Sequence, residues 1–262
     1  MPAGLLDYWR VSRAPRYSIL IALPLLVVYE ALAAFLSTGQ GAELRNGADV
    51  LLEELFLAIA GRQYASVAFG LTVIGVGLWY VARDIRRTPA PLRGRVFATM
   101  IAEAAALALC FGSVVGTLTA HLVRAVPFPH RSVADAIVHV GMVAPVGGPI
   151  ATAPTATKVM LALGAGVYEE LLFRVLLVSG IALIARRLLG WRPLVAAGVA
   201  VTLSALIFAA FHYVGPYGDP WRLDSFVFRL LGGLAFSLLY VTRGFGITAW
   251  THALYDLLVL TV

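Results

Sequence analysis

Gly166-Val167-Tyr168-Glu169-Glu170-Leu171-Leu172-Phe173-Arg174 is the stretch on which the reading of this chain turns. It lies inside an apolar run, from about Val159 to Ala185, that carries no other charge. Hydrocarbon cannot solvate Glu169, Glu170 or Arg174, so each must face a partner, a cavity or water. On a helix Glu170 and Arg174 stand four apart and can pair, while Glu169 points about 100° away from Glu170. Ala165 and Gly166 lie one turn before Glu169, so a neighbouring helix can approach closely. An ion pair that merely locks two helices is the plainer reading. A functional site is the default reading for charge embedded in a membrane.

The surrounding composition makes the membrane reading the frame. Of 262 residues, 60% are hydrophobic and 13% charged, with a mean hydropathy of +0.87. This is the balance of an integral membrane protein. The net charge is +6, and Lys158 is the only lysine among 20 basic residues. A basic soluble protein would suggest nucleic acid. Here the charges sit between apolar spans, so a topological role explains them and no nucleic-acid partner is expected. The one cysteine, Cys110, has no disulfide partner in the chain and sits in an apolar run.

Seven spans are expected, forming an all-α polytopic membrane helical bundle. They run at about Tyr17–Leu36, Ala65–Val81, Val96–Leu122, the Glu-Glu run, Leu194–Tyr213, Phe226–Val241 and Ile247–Leu260. Most approach the ~20 residues a bilayer needs, the last two being short. The first is too long for a signal-peptide core and reads as an uncleaved anchor. Val50–Leu57 reads as a short amphipathic interfacial helix. Residues 124–157 are too polar and broken to span, with one short helix near Val133–Val140. Residues 1–157 form an N-terminal membrane region and 158–262 a motif-bearing one, together one integrated domain.

Arg10, Arg13, Arg16, Arg83, Arg86, Arg87, Arg93, Arg95, Arg186, Arg187, Arg192 and Arg243 fall on one side of these spans. Only Arg45, Arg62, Arg124, Arg131, Lys158 and Arg222 fall on the other. The arginine-rich side should be cytoplasmic and should hold the N-terminus. The expected location is the plasma (inner) membrane. Glu30 and Glu103, inside spans, read as helix-packing contacts, and Arg229 as a side chain reaching toward the interface.

Two further pairs share helix faces at spacing four: Phe208 with His212, and His252 with Asp256. Neutral imidazole can accept a proton from water, donate to an oxyanion or bind a metal. A carboxylate in a dry site becomes a better general base. No Gly-x-Ser-x-Gly elbow and no His-Glu-x-x-His pair occurs. Ser204 lies two turns before His212 but reads as a hydroxyl bonding its own helix. Without a nucleophile, activated water is the simplest attacking group. A zinc ion held by Glu169, His212 and His252 is the metal alternative.

Glu-Glu-x-x-x-Arg at 169–174, Phe-x-x-x-His at 208–212 and His-x-x-x-Asp at 252–256, in that order, resemble the three motifs of the CAAX protease and bacteriocin-processing family. Its best-known members are type II CAAX prenyl endopeptidases. The resemblance covers roughly 158–262, the first half matching only as generic spans. It implies an intramembrane endopeptidase that hydrolyses a peptide bond of a membrane-associated or lipidated protein without a cofactor. By that resemblance Glu169 and His212 activate water, His252 and Asp256 form the oxyanion site, and Glu170, Arg174 and Phe208 support them. Many relatives carry Asn where this chain has Asp256. A carboxylate donates to an oxyanion only when protonated, so Asp256 either stays neutral or orients His252. The rival functions are a non-catalytic membrane binding or bacteriocin-immunity protein, a zinc-dependent version of the same protease, and a proton-relay carrier.

Overall fold

The computed structural model describes residues 5–37, 45–61, 63–125, 152–215 and 218–261. Among these, every regular element is a helix: α1 Leu5–Ser12, α2 Pro15–Leu36, α3 Gly47–Ala60, α4 Ala65–Arg87 and α5 Gly94–Ala125. After these come α6 at 155–187, α7 Pro193–Phe211, α8 Leu223–Arg243 and α9 Phe245–Thr261. By length and composition α2, α4, α5, α7 and α8 can each cross a bilayer. The other two expected spans are α6, whose winding changes midway, and α9, with 17 residues. The short helix expected near Val133–Val140 lies outside the described residues.

Local chemistry explains the helix ends. Pro15 and Pro193 start α2 and α7, where the missing N–H costs no bond. Asn46 caps α3, its side-chain oxygen accepting from the backbone N–H of Ala48 and Asp49. Gly244 ends α8 at φ 85°, a left-handed conformation that favours glycine, and α9 begins at the next residue.

Helix α9 is the centre of the bundle, packing against α5, α6, α2 and α8. Its first turns are pinned to α2. Gly246 N donates to Ser18 Oγ at 2.8 Å, and Trp250 Nε1 donates to Ile21 O at 2.6 Å. Around it, Leu25, Tyr29, Leu52, Phe69, Met160, Val167, Tyr168, Ala249 and Ala253 form one apolar cluster. Hydrocarbon outside is as apolar as this core, so close packing and buried polar bonds must hold the helices together.

Two arginines counted toward the cytoplasmic charge are committed to such bonds. Arg16 is buried and donates to Asp84 Oδ2 at 2.6 Å and to the Thr88 and Ala90 carbonyls that end α4. Arg243 donates twice to Glu103, at 2.6 and 2.7 Å, and its guanidinium lies over Trp9. Tyr8 OH completes this clasp on Glu103 at 2.5 Å. Glu103 is thus a helix-packing contact, as its sequence context suggests. Arg229 reaches toward the loop that precedes α8. It pairs with Asp219 and lies over the Tyr213 ring, so a local carboxylate neutralises it.

Helix α3 keeps Val50, Leu51, Leu55 and Leu57 exposed. It packs on α4, but Ala48, Asp49 and Leu52 are buried, and its first turn is tucked against α6. Here its polar groups find partners inside: Tyr29 OH donates to Asp49 Oδ2 at 2.6 Å, and Arg45 Nε donates to the same oxygen at 2.8 Å. Glu30 joins this network through Tyr168 OH. Burial, partly offset by Tyr29 and Arg45, pushes the Asp49 carboxyl up to about 6.

Candidate active site

Helix α6 carries the site because its middle is not α-helical. Ala165–Glu169 and Leu171–Val178 are π-wound. Bonding from i to i+5 widens the turn, so successive side chains fan apart by less than in an α-helix. Glu169 and Glu170 consequently both reach one imidazole, rather than pointing to separate surroundings. Glu170 Oε1 lies 2.7 Å from His252 Nδ1, and Glu169 Oε2 lies 4.0 Å from His252 Nε2. The approach of α9 depends on Gly166, where a Cβ would stand 2.5 Å from the Ala249 carbonyl oxygen.

Arg174 is fully buried and its charge is met on several sides. Its Nη1 is 3.1 Å from Glu170 Oε1, the pair expected from the spacing of four. Its Nη2 donates to the Gly233 carbonyl at 3.4 Å. The guanidinium carbon sits 4.5 Å from the Phe208 ring centre and 5.5 Å from that of Phe236. A desolvated cation over an aromatic face gains about 2 kcal/mol. Ser204 serves this segment too. Its Oγ donates at 2.6 Å to the Phe173 carbonyl on α6, not to its own helix, so the hydroxyl is committed and buried.

The two histidines are held in defined tautomers. A backbone carbonyl only accepts, so the 2.8 Å contact of His212 Nδ1 with Phe208 O places the proton on Nδ1. The Nε2 lone pair of neutral His212 is then free to accept. His252 donates its Nδ1 proton to the Glu170 carboxylate, an arrangement that fixes ring orientation as an outer carboxylate does for a metal-bound histidine. Phe236 stacks on the His252 ring at 4.3 Å and 20°, and Phe111 stacks on the far face of Phe236. Phe208 stands between the histidines, its centre 4.9 Å from the His212 ring and 6.3 Å from the His252 ring. Glu169 lies within electrostatic reach of both.

Asp256 sits 3.6 Å from His252 Nε2, beyond a hydrogen bond. The carboxylate hydrogen-bonded to His252 is Glu170, on Nδ1, while Asp256 faces Nε2 on the other side of the ring. Glu170 has a double duty, holding Arg174 on its own helix and His252 on α9. Spacing within one helix reveals the first contact but not the second.

Three contributors were not singled out from sequence. Phe236 is an aromatic residue in an apolar span and Phe173 one in the motif itself, with no pattern to separate either from ordinary core. Asn46 lies 123 positions before Glu169, yet its Nδ2 donates to Glu169 Oε1 at 2.9 Å. Its only legible signal is Asn before an apolar helical run, which reads as a cap. Glu169 Oε2 is buried and accepts no hydrogen bond. Among the described residues, no three His, Cys, Asp or Glu side chains stand at metal-holding geometry.

These helices and this cluster define a class: a polytopic membrane protein with a glutamate–histidine–arginine site enclosed in its bundle. Residues 151–258, which hold all three motifs, match the family model described as type II CAAX prenyl endopeptidase Rce1-like. The match supports a CAAX protease family domain over this segment, in general terms that of an intramembrane protease. No curated protein and no solved structure matches it.

Proposed function

We propose that the protein hydrolyses a peptide bond of a membrane-associated or lipidated protein by means of water activated between Glu169 and His212. The observation that carries this is the unpartnered, buried Oε2 of Glu169, aimed toward His252 while Oε1 is held by Asn46. A buried carboxylate oxygen without a donor is costly to maintain, and a water molecule supplies the missing bond. Glu169 accepts a proton from that water, with the His212 Nε2 lone pair as its second acceptor. The oxygen attacks the peptide carbonyl carbon. In its imidazolium form His252 presents an Nε2 proton to the oxyanion, because Nδ1–H is already committed to Glu170. Glu169 then returns its proton to the departing amine, and the carbonyl reforms. No covalent enzyme intermediate and no cofactor is required. Asp256 flanks the imidazolium as a counter-charge.

The test is a comparison of membrane-protein lengths in cells carrying the native chain or Glu169→Gln. Glutamine keeps the shape and one accepting oxygen but cannot take the proton. At least one membrane protein should persist uncut in the variant. Its cleavage rate in isolated membranes should fall at least ~100-fold, the effect of losing a general base. The variant should accumulate normally, and a strong chelator should leave native cleavage intact. Full cleavage by Glu169→Gln would overturn the hydrolase reading in favour of a binding protein. Loss on chelation with rescue by zinc would keep the protease and recast Glu169, His212 and His252 as ligands.

A further inference from the structure

We infer that Asn46, outside the motif-bearing segment, is the residue that positions Glu169, and that the N-terminus of α3 faces the reacting carboxylate. This rests on the reading of Glu169 as the base. Asn46 is buried, and both ends of its amide are engaged. Oδ1 accepts from Ala48 N at 2.9 Å and from Asp49 N at 3.4 Å, and Nδ2 donates to Glu169 Oε1 at 2.9 Å. The cap settles which end is which. Backbone N–H groups can only donate, so Oδ1 must face them and Nδ2 must face the carboxylate.

Two consequences follow from that geometry. With Oε1 occupied, rotation of the Glu169 carboxyl is arrested, and Oε2 is left as the oxygen available to water. The cap also directs the partial positive charge of the α3 N-terminus toward a carboxylate that has no arginine of its own. Helix α3 is held over the site independently. Tyr29 and Arg45 secure Asp49 in its first turn, and Gly47 abuts Phe211, the residue before His212, with room for a Cβ only at 3.3 Å from that ring. One helix start therefore touches Glu169 and the residue next to His212.

The chemistry requires an acceptor for the cap and a donor for Glu169 in one short side chain, which separates cap from positioning by substitution. Asn46→Asp keeps the cap, since Asp and Asn cap equally well, but sets a carboxylate against Glu169. Asn46→Ser keeps a cap, but its shorter side chain carries no group to the Nδ2 position, so the bond to Glu169 is lost. In isolated membranes, using the substrate identified by the Glu169 comparison, Asn46→Asp should lower kcat about 100-fold with little change in KM. Asn46→Ser should lower kcat about 10-fold and keep the native melting temperature, while Asn46→Asp should lower the melting temperature at neutral pH and recover it as the introduced carboxyl protonates. As pH falls, Asn46→Asp should regain activity, because the introduced carboxyl, once protonated, again accepts from the cap N–H groups and donates to Glu169. A purely structural role would not produce that acid recovery.

Native kcat in both variants, with Glu169→Gln inactive, would overturn the positioning role and leave the proposed base intact. A fall in kcat that tracks a lower melting temperature, without recovery at acid pH, would reduce Asn46 to a cap. Full activity in Glu169→Gln would remove the base and this inference with it.

Discussion

Gly166→Ala adds one methyl group where helix α9 leaves no space for it. Its Cβ would lie 2.5 Å from the carbonyl oxygen of Ala249 and 2.6 Å from Cβ of Ala253. The nearest obstacle is backbone, so no rotamer change relieves it, and α6 and α9 must move apart. Ordinary contact begins at 3.4 Å, so the needed separation is 3.4 less 2.5, or about 0.9 Å. The same two helices hold Glu170 and His252 at 2.7 Å. If they part along that line, the distance opens toward about 3.6 Å, where the hydrogen bond is lost. Overpacking of this kind costs about 1–3 kcal/mol, and a catalytic group displaced by ~1 Å costs ~100-fold in rate. Both should be visible, the first as a lowered melting temperature in lipid nanodiscs and the second as a lower kcat. Gly180→Ala is the control, on the same helix with nothing within 4 Å of the added Cβ, and should change neither. A Gly166→Ala protein with native kcat and native melting temperature would refute the account of how α6 and α9 set the site.

Three further outcomes are expected. Glu170→Gln should lower both folded yield and kcat, because it leaves the fully buried Arg174 without its counter-charge, at about 3–5 kcal/mol, and weakens the anchor of His252. A stable but inactive variant would assign Glu170 to catalysis alone. For Asp49, the folded carboxyl titrates at about 6, above its ordinary 3.8. The folded state thus holds a proton that the unfolded state has released. That contribution to stability is full below the unfolded value and is lost as pH rises through about 6. Melting temperature should therefore fall between about pH 4 and pH 6 with a slope that Asp49→Asn flattens; an unchanged slope would clear Asp49, whose neighbours Arg45, Tyr29, Glu53 and Glu30 remain in both proteins. Finally, reporters fused after Arg87 and Arg192 should register cytoplasm, and one after Asp219 the opposite side, and an external Arg192 loop would reverse the proposed orientation.

The spans were legible because hydropathy over ~20 residues is a property of composition, which no distant contact can overrule. Boundaries such as Ala65 of α4 follow directly. The Glu170–Arg174 pair was legible because it lies within one helix. What the sequence does not carry is anything that depends on two helices meeting. The bond from Asn46 to Glu169 is one such contact, and the grip of Glu170 on His252 is another. The π winding of α6 is equally hidden, since a run of apolar residues on all sides has no periodicity to betray its pitch. The inward bonds of the first turn of α3 are hidden for the same reason. An amphipathic pattern says that one face is polar, but not whether that face meets water or the buried groups of a neighbour.

The ion pair within α6 bears on how the chain is made. Synthesis reaches Glu170 82 residues before His252, which at ~5–20 residues per second is a delay of roughly 4–16 s. Each lone charge at the bilayer centre costs about 2.5–3.5 kcal/mol on the insertion scale. Throughout that interval α9 does not exist, but Arg174 does, four residues away on the same helix. Glu170 thus enters the membrane already matched, and its second partner arrives later to convert a helix that could be inserted into one that can do chemistry. Glu169 has no such companion on its own helix; its support, Asn46, has by then been made for more than a hundred residues. The order of residues along the chain lets the buried acids of the site be matched as they are inserted, before the last helix completes it.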